Sequence, residues 1–103
     1  MNPPELTDAQ RQAALSKAAE VRRTRAELKE LLKIGSLSFA ELIERSDGDE
    51  TIAGMKIAAV LPSLPGMGKI KAKRLMEEVG IADNRRIRGL GAKQRAALLD
   101  TFS

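Results

Sequence analysis

The chain has 103 residues, 43% of them apolar and 31% charged, enough for one domain with a modest core. It contains no cysteine and no histidine, which excludes disulfides, thiolate chemistry and the commonest general base and transition-metal ligand. The formal charge of +4 is unevenly placed: residues 1–65 hold nine Lys/Arg against ten Asp/Glu, whereas residues 66–103 hold nine against four.

The start, MNPPELTDAQRQ, lacks the basic and then apolar blocks of a signal peptide. No run reaches the roughly 18 apolar residues that a membrane span needs. Ala and Leu dominate and β-branched residues are few, so an all-α fold of about five to six helices is expected. Thr7 and Gln10 form a capping-box pattern that opens a long helix, and Gly35 supplies a left-handed stop after Lys33. At helical spacing Ala13, Ala14, Val21, Leu28, Leu31 and Leu32 share one sector, thin toward the N-terminus, so the first two turns are expected to be weakly held. Arg11, Arg22, Arg25, Lys29 and Lys33 share another sector, about 80° wide, beside the apolar one.

Ser38 and Glu41 form a second capping box, predicting a short helix over 39–45. SDGDE (46–50) reads as an acidic turn. A further helical stretch is expected from about Thr51, loosened at Gly54 and continuing through MKIAAVLPSL, with a bend or new turn near Leu61 because Pro62 cannot sit deep in a helix. The next helix should run over about 69–78 with Gly80 as its stop. Asp83 and Asn84 read as turn or cap residues, RRIRGLG (85–91) as a basic loop, and 92–102 as a last helix turning Leu98, Leu99 and Phe102 inward. No convincing strand is found.

The stretch LPGMGKIKAKRLM (64–76) carries the functional argument. Two glycines two apart admit backbone angles closed to other residues and let peptide N–H groups approach an anion. The first N–H groups of the following helix have no intrahelical acceptor and carry the positive end of its dipole. Lys69, Lys71, Lys73 and Arg74 add cations where cations are unfavourable unless something negative arrives. A phosphate-binding loop of the nucleotide-hydrolase type needs Gly and Ser/Thr where Ser63 and Ile70 stand, and a dinucleotide fingerprint needs Gly where Lys71 stands. Glu77 and Glu78 are adjacent and project about 100° apart on a helix, so no paired-carboxylate site forms. The chain is not expected to be an enzyme, and no cofactor or metal is expected.

The pattern h-P-G-h-G-x-x-x-A-x-x-h, with h apolar, is matched by Leu64, Pro65, Gly66, Met67, Gly68, Ala72 and Leu75. It resembles the hairpin of helix-hairpin-helix and helix-two-turn-helix families, which bind nucleic-acid backbones. In the helix-hairpin-helix glycosylases a nucleophilic Lys stands two residues after the second glycine; Ile70 holds that place here.

Taken with LTDAQR (6–11), GMKIAAVLPSLPGMGKIKAKRLME (54–77) and RRIRGLGAKQ (85–94), nearly the whole chain resembles the actinobacterial integration host factors. The match departs most at 36–50. The resemblance implies one DNA-binding domain: a long N-terminal helix (1–34) packed on a compact helical body, an S13-like helix-two-turn-helix region (51–80), a basic lid (82–94) and a C-terminal helix (92–102). It implies a nucleoid-associated protein that binds double-stranded DNA with low sequence preference, bends or compacts it, and serves phage integration. Hairpin contacts are expected from Leu64, Pro65, Gly66, Met67, Gly68, Lys69, Ile70, Lys71, Lys73 and Arg74. Lid contacts are expected from Asn84, Arg85, Arg86, Ile87, Arg88, Gly89, Leu90, Gly91, Lys93 and Gln94, with Lys56, Arg22, Arg25 and Lys29 as secondary candidates. The expected partners are duplex DNA and a phage integrase, with no membrane, for a monomer in the cytoplasm and nucleoid. An RNA- or ribosome-associated module is the alternative, since a small-subunit ribosomal protein uses the same hairpin class. Phe39 and Phe102, the chain's two aromatic residues, are few for stacking on single strands.

Overall fold

The computed structural model describes residues 7–102; Leu6 of LTDAQR, and the first half of the segment on which the signal-peptide exclusion rests, lie outside the described residues. The fold is all-α. Helix α1 spans Asp8–Lys33 and opens as its sequence predicts: Thr7 Oγ1 accepts the Gln10 N–H, and Gln10 Oε1 accepts the Thr7 N–H at 2.9 Å. Its end is a Schellman turn. Gly35, at φ 79°, donates to the Leu32 carbonyl at 3.2 Å and Ser36 donates to the Leu31 carbonyl at 2.9 Å.

Helix α2 (Phe39–Ser46) carries the second reciprocal box, between Ser38 and Glu41. It runs one residue beyond the expected end, and the Ser46 hydroxyl donates back to the Ile43 carbonyl. The acidic turn is also a helix start: Asp49 Oδ1 accepts the N–H groups of Thr51 and Ile52 at the head of α3 (Glu50–Ala53).

The continuous helical stretch expected from Thr51 to Leu61 is interrupted more deeply than a loosening. The chain leaves the helix at Gly54, and Lys56 lies in extended backbone before α4 (Ile57–Val60) begins. Here Lys56 forms an isolated antiparallel bridge with Arg86, through Ile57 N–H to Arg85 O and Ile87 N–H to Met55 O, both 2.9 Å. The reason is the local pattern. Met55 and Ile57 are 3% and 0% exposed while Lys56 between them is exposed, an alternation that extended backbone satisfies and a helix does not. No strand forms among the described residues.

Pro62 sits in a 3-10 turn, Leu61–Ser63, at the expected bend. Helix α5 spans Gly68–Val79 and stops at Gly80, φ 82°. The basic segment forms a 3-10 turn, Ile87–Gly89, and α6 spans Ala92–Thr101.

Every helix contributes to one core, in which Leu32, Leu42, Ile57, Val60, Leu61 and Leu98 are fully buried. The rings of Phe39 and Phe102 pack at a centroid distance of 5.2 Å. Helix α1 enters this core only through its C-terminal turns. Leu28 and Leu32 are buried, Val21 is half-buried, Leu31 on the flank of the apolar sector is 37% exposed, and Ala13 and Ala14 are exposed. The N-terminal half therefore projects, about 26 residues of helix being roughly 39 Å long. Leu32→Ala is expected to lower the free energy of unfolding by about 2–5 kcal/mol. Leu15→Gln, on the projecting half and 60% exposed, should stay within about 0.5 kcal/mol of the unaltered chain; urea denaturation measures both.

Candidate nucleic-acid interface

The hairpin between the Leu61–Ser63 turn and α5 is anchored by Leu64, 7% exposed, and by two backbone bonds: Leu64 N–H to Leu61 O and Met67 N–H to Leu64 O, both 3.1 Å. Pro65, Gly66 and Gly68 are exposed, and Met67 is half-buried against the core. Gly66 and Gly68 adopt φ of 77° and 67°, and a Cβ at either position would meet no atom within 4 Å. Their glycine requirement is therefore torsional and not a matter of crowding.

Among the described residues the amide groups of Gly66, Gly68, Lys69 and Ile70 have no protein acceptor, and all four residues are exposed. Helix α5 has no side-chain N-cap and no acid in its first turn. These donors and the positive end of the helix dipole lie beside a shallow depression bordered by Met67, Gly68, Lys69, Ile70, Lys71 and Arg74. The Lys71 ammonium lies over the hairpin, donating to the Gly66 carbonyl at 3.3 Å, and Ile70 is 80% exposed beside it. Lys73 and Lys69 border a second cleft with Asp83. Ala72 and Met76, four residues apart on the opposite face, are buried and hold α5 to the core, with Leu75 half-buried beside them.

The lid is more ordered than a basic loop. Ile87 is 5% exposed and Leu90 half-buried, so both serve as anchors for the segment that carries the arginines. Each of those arginines is held. Arg85 Nη1 donates to Gly89 O at 2.6 Å, Arg86 Nη1 donates to Gly54 O, and Arg88 pairs with Glu50 at 3.3 Å. Gly89 makes room for Arg85 itself, whose Cδ would lie 3.0 Å from a Cβ there. Asn84, Gly91 and Lys93 are exposed, and Gly91 is the N-cap of α6.

Gln94, one candidate base-reading side chain, is spent internally. Its Oε1 accepts the Gly91 N–H and its Nε2 donates to Gly80 O, both at 2.9 Å. Arg95 is forked onto Asp47 at 3.3 and 3.2 Å. The acidic turn thus supplies partners to two cations of the basic half, a role invisible in sequence because the pairs span 38 and 48 residues. Of the secondary candidates, Arg25, Lys29 and Lys56 converge with Arg86 around one cavity, whereas Arg22 stands exposed on α1 outside it.

Replacing either hairpin glycine by a side-chain-bearing residue forces a left-handed torsion costing about 1–2 kcal/mol. Gly66→Val and Gly68→Ala should each show that loss in urea denaturation. Gly48→Ala, where φ is not left-handed and the space is open, should lose less than about 0.5 kcal/mol.

Residues 32–102 match the family model described as the S13-like H2TH domain. The chain is 50% identical over 99 residues to the integration host factor of Mycobacterium tuberculosis (strain ATCC 25618 / H37Rv), covering 96% of this chain and 94% of that one. It is also 50% identical over 99 residues to the integration host factor of Streptomyces coelicolor (strain ATCC BAA-471 / A3(2) / M145), covering 96% and 92%. A solved structure of sIHF bound to an 8bp palindromic DNA superposes with a TM-score of 0.82 at 46% identity, covering 85% of this chain and 99% of that chain. On this match of sequence, hairpin and fold, the chain belongs to the integration host factor family found in Mycobacterium and Streptomyces, built on an S13-like H2TH domain.

Proposed function

We propose that this chain is a nucleoid-associated, non-enzymatic architectural protein. It binds double-stranded DNA through the phosphate backbone with low sequence preference and acts as an integration host factor in phage integration. The observation that carries this reading is the set of exposed amides at Gly66, Gly68, Lys69 and Ile70 without protein acceptors, ringed by Lys69, Lys71 and Arg74. A phosphate supplies the charge that this end of α5 lacks. Backbone amides and Lys/Arg position a protein on DNA without reading its sequence, and the internal use of Gln94 supports low specificity. The DNA-bound state of the related sIHF supports the same partner. The protein acts as a monomer in the cytoplasm, on the nucleoid, with a phage integrase as a second partner.

The hairpin and the lid are the two contact elements in this reading; they touch two places on one duplex and bend it, or join two duplexes. Recognition of single-stranded RNA is less well supported, because Phe39 and Phe102 pack against each other and leave no aromatic platform. Competition between duplex DNA and structured RNA for the same hairpin separates the two readings, with duplex DNA expected to win.

Neutralising six to eight phosphates gives a log–log salt slope of roughly −5 to −7. Lys69→Gln with Lys71→Gln should make that slope shallower by about 2, and Lys69→Glu with Lys71→Glu should abolish duplex binding while leaving the circular dichroism melt unchanged. Normal binding by the charge-reversed variant would mean that the hairpin is scaffolding. Fluorescence transfer between the ends of a short duplex should rise on saturation; an unchanged end-to-end distance would reject bending.

A further inference from the structure

The lid and α1 meet over Gly54. This residue is buried and has an ordinary φ of −84°, so torsion does not explain why it is glycine. A Cβ there would lie 2.6 Å from Arg25 Nη2, 3.2 Å from the Glu50 carbonyl oxygen and 3.5 Å from Arg88 Nη1: the Arg25 guanidinium reaches furthest into the space of the missing side chain. Beside it is a cavity of about 280 Å³ lined by four cations, Arg25, Lys29, Lys56 and Arg86, with Met55 and Ala59 as an apolar wall. No carboxylate among the described residues lines it, and nearby Glu50 is paired with Arg88.

The two guanidinium groups are held in place before any ligand arrives. Arg25 Nε donates to the Thr51 carbonyl at 2.9 Å and Arg86 Nη1 donates to the Gly54 carbonyl. A guanidinium has five N–H donors, so one carbonyl contact orients each plane and leaves most of its donors for a ligand. Arginine in this fixed fork suits phosphate oxygens, and Lys29 and Lys56 add mobile point charges. The cavity lies just under the size range of pockets that enclose whole organic ligands, which suits the anionic group itself and not a nucleoside attached to it.

We propose that this cavity is a second anion site, distinct from the hairpin amides, that seats a phosphate group between Arg25, Lys29, Lys56 and Arg86, with Gly54 kept small to admit the Arg25 guanidinium. The phosphate belongs either to a free phosphate compound or to a DNA backbone lying against α1, and the experiment separates these sources. Inorganic pyrophosphate and a short duplex are each titrated calorimetrically into the full chain and into two kinds of variant. Lys29→Gln with Lys56→Gln removes charge. Gly54→Ala keeps the charge and displaces Arg25; Arg25→Lys, which also keeps the charge, replaces it if Gly54→Ala melts early.

A loss of at least tenfold in pyrophosphate affinity in both kinds of variant supports the site with a free phosphate compound as its ligand. If pyrophosphate does not bind and duplex affinity falls at least tenfold in both kinds, the site stands and its phosphate is that of DNA. A fall in the lysine variant alone reflects loss of the general positive field and overturns the proposal, as do unchanged affinities for both ligands.

Discussion

Two backbone hydrogen bonds, Ile57 N–H to Arg85 O and Ile87 N–H to Met55 O, hold this helical chain in its working shape. They tie the segment leaving α3 to the lid, bury Met55, Ile57 and Ile87 together, and set Arg86 against Gly54. Without them the lid would be a charged tether, free to sample many conformations at an entropic cost on each binding event. With them Arg85, Arg86 and Arg88 start from defined positions. The same bridge places Lys56 beside Arg25 and Lys29, so it shapes both the lid and the cavity at α1.

Features whose cause lies within four residues were legible in the sequence. Thr7 with Gln10 and Ser38 with Glu41 formed the boxes their spacing implied, and Gly35 and Gly80 took the left-handed angles that stop α1 and α5. Pro62 marked its turn for an equally local reason. The hairpin was readable because its two glycines and following cations are contiguous. What escaped depends on distant neighbours. The Met55–Lys56–Ile57 alternation is too short to announce extended backbone, and its partner lies at the lid. Gly54 resembled a helix loosener, whereas its constraint is the Arg25 side chain. The apolar sector of α1 predicted a face but not how much of it the body would cover, since the body reaches Leu28 and Leu32 and leaves Ala13 and Ala14 outside.

The molecule contains cations of two kinds. Lys69, Lys73, Arg74 and Lys93 stand exposed around α5 and the head of α6, where their long side chains remain hydrated. Arg25, Arg85 and Arg86 are half-buried and lie against carbonyl oxygens of turns and helix ends. The first kind supplies a field that falls off with salt. The second supplies direction, because a planar guanidinium fixed at one edge presents its other edge at a set angle. The ion pairs Arg88–Glu50 and Arg95–Asp47 belong to the surface, where such pairs contribute at most about 1 kcal/mol, so in the proposed complex a phosphate displaces either carboxylate at small cost.

Gln94 gives the arrangement a mechanical meaning. One amide spans Gly80, where α5 stops, and Gly91, where α6 starts, so the hairpin helix and the lid are braced against each other at the end remote from the hairpin tip. Together with the bridge at Lys56 and Arg86, this makes the protein a jig in which the two proposed gripping points, hairpin and lid, are tied into one frame. In the proposed complex the softer body yields: the duplex takes up the misfit as curvature, and its deformability sets which stretches accept the jig most readily.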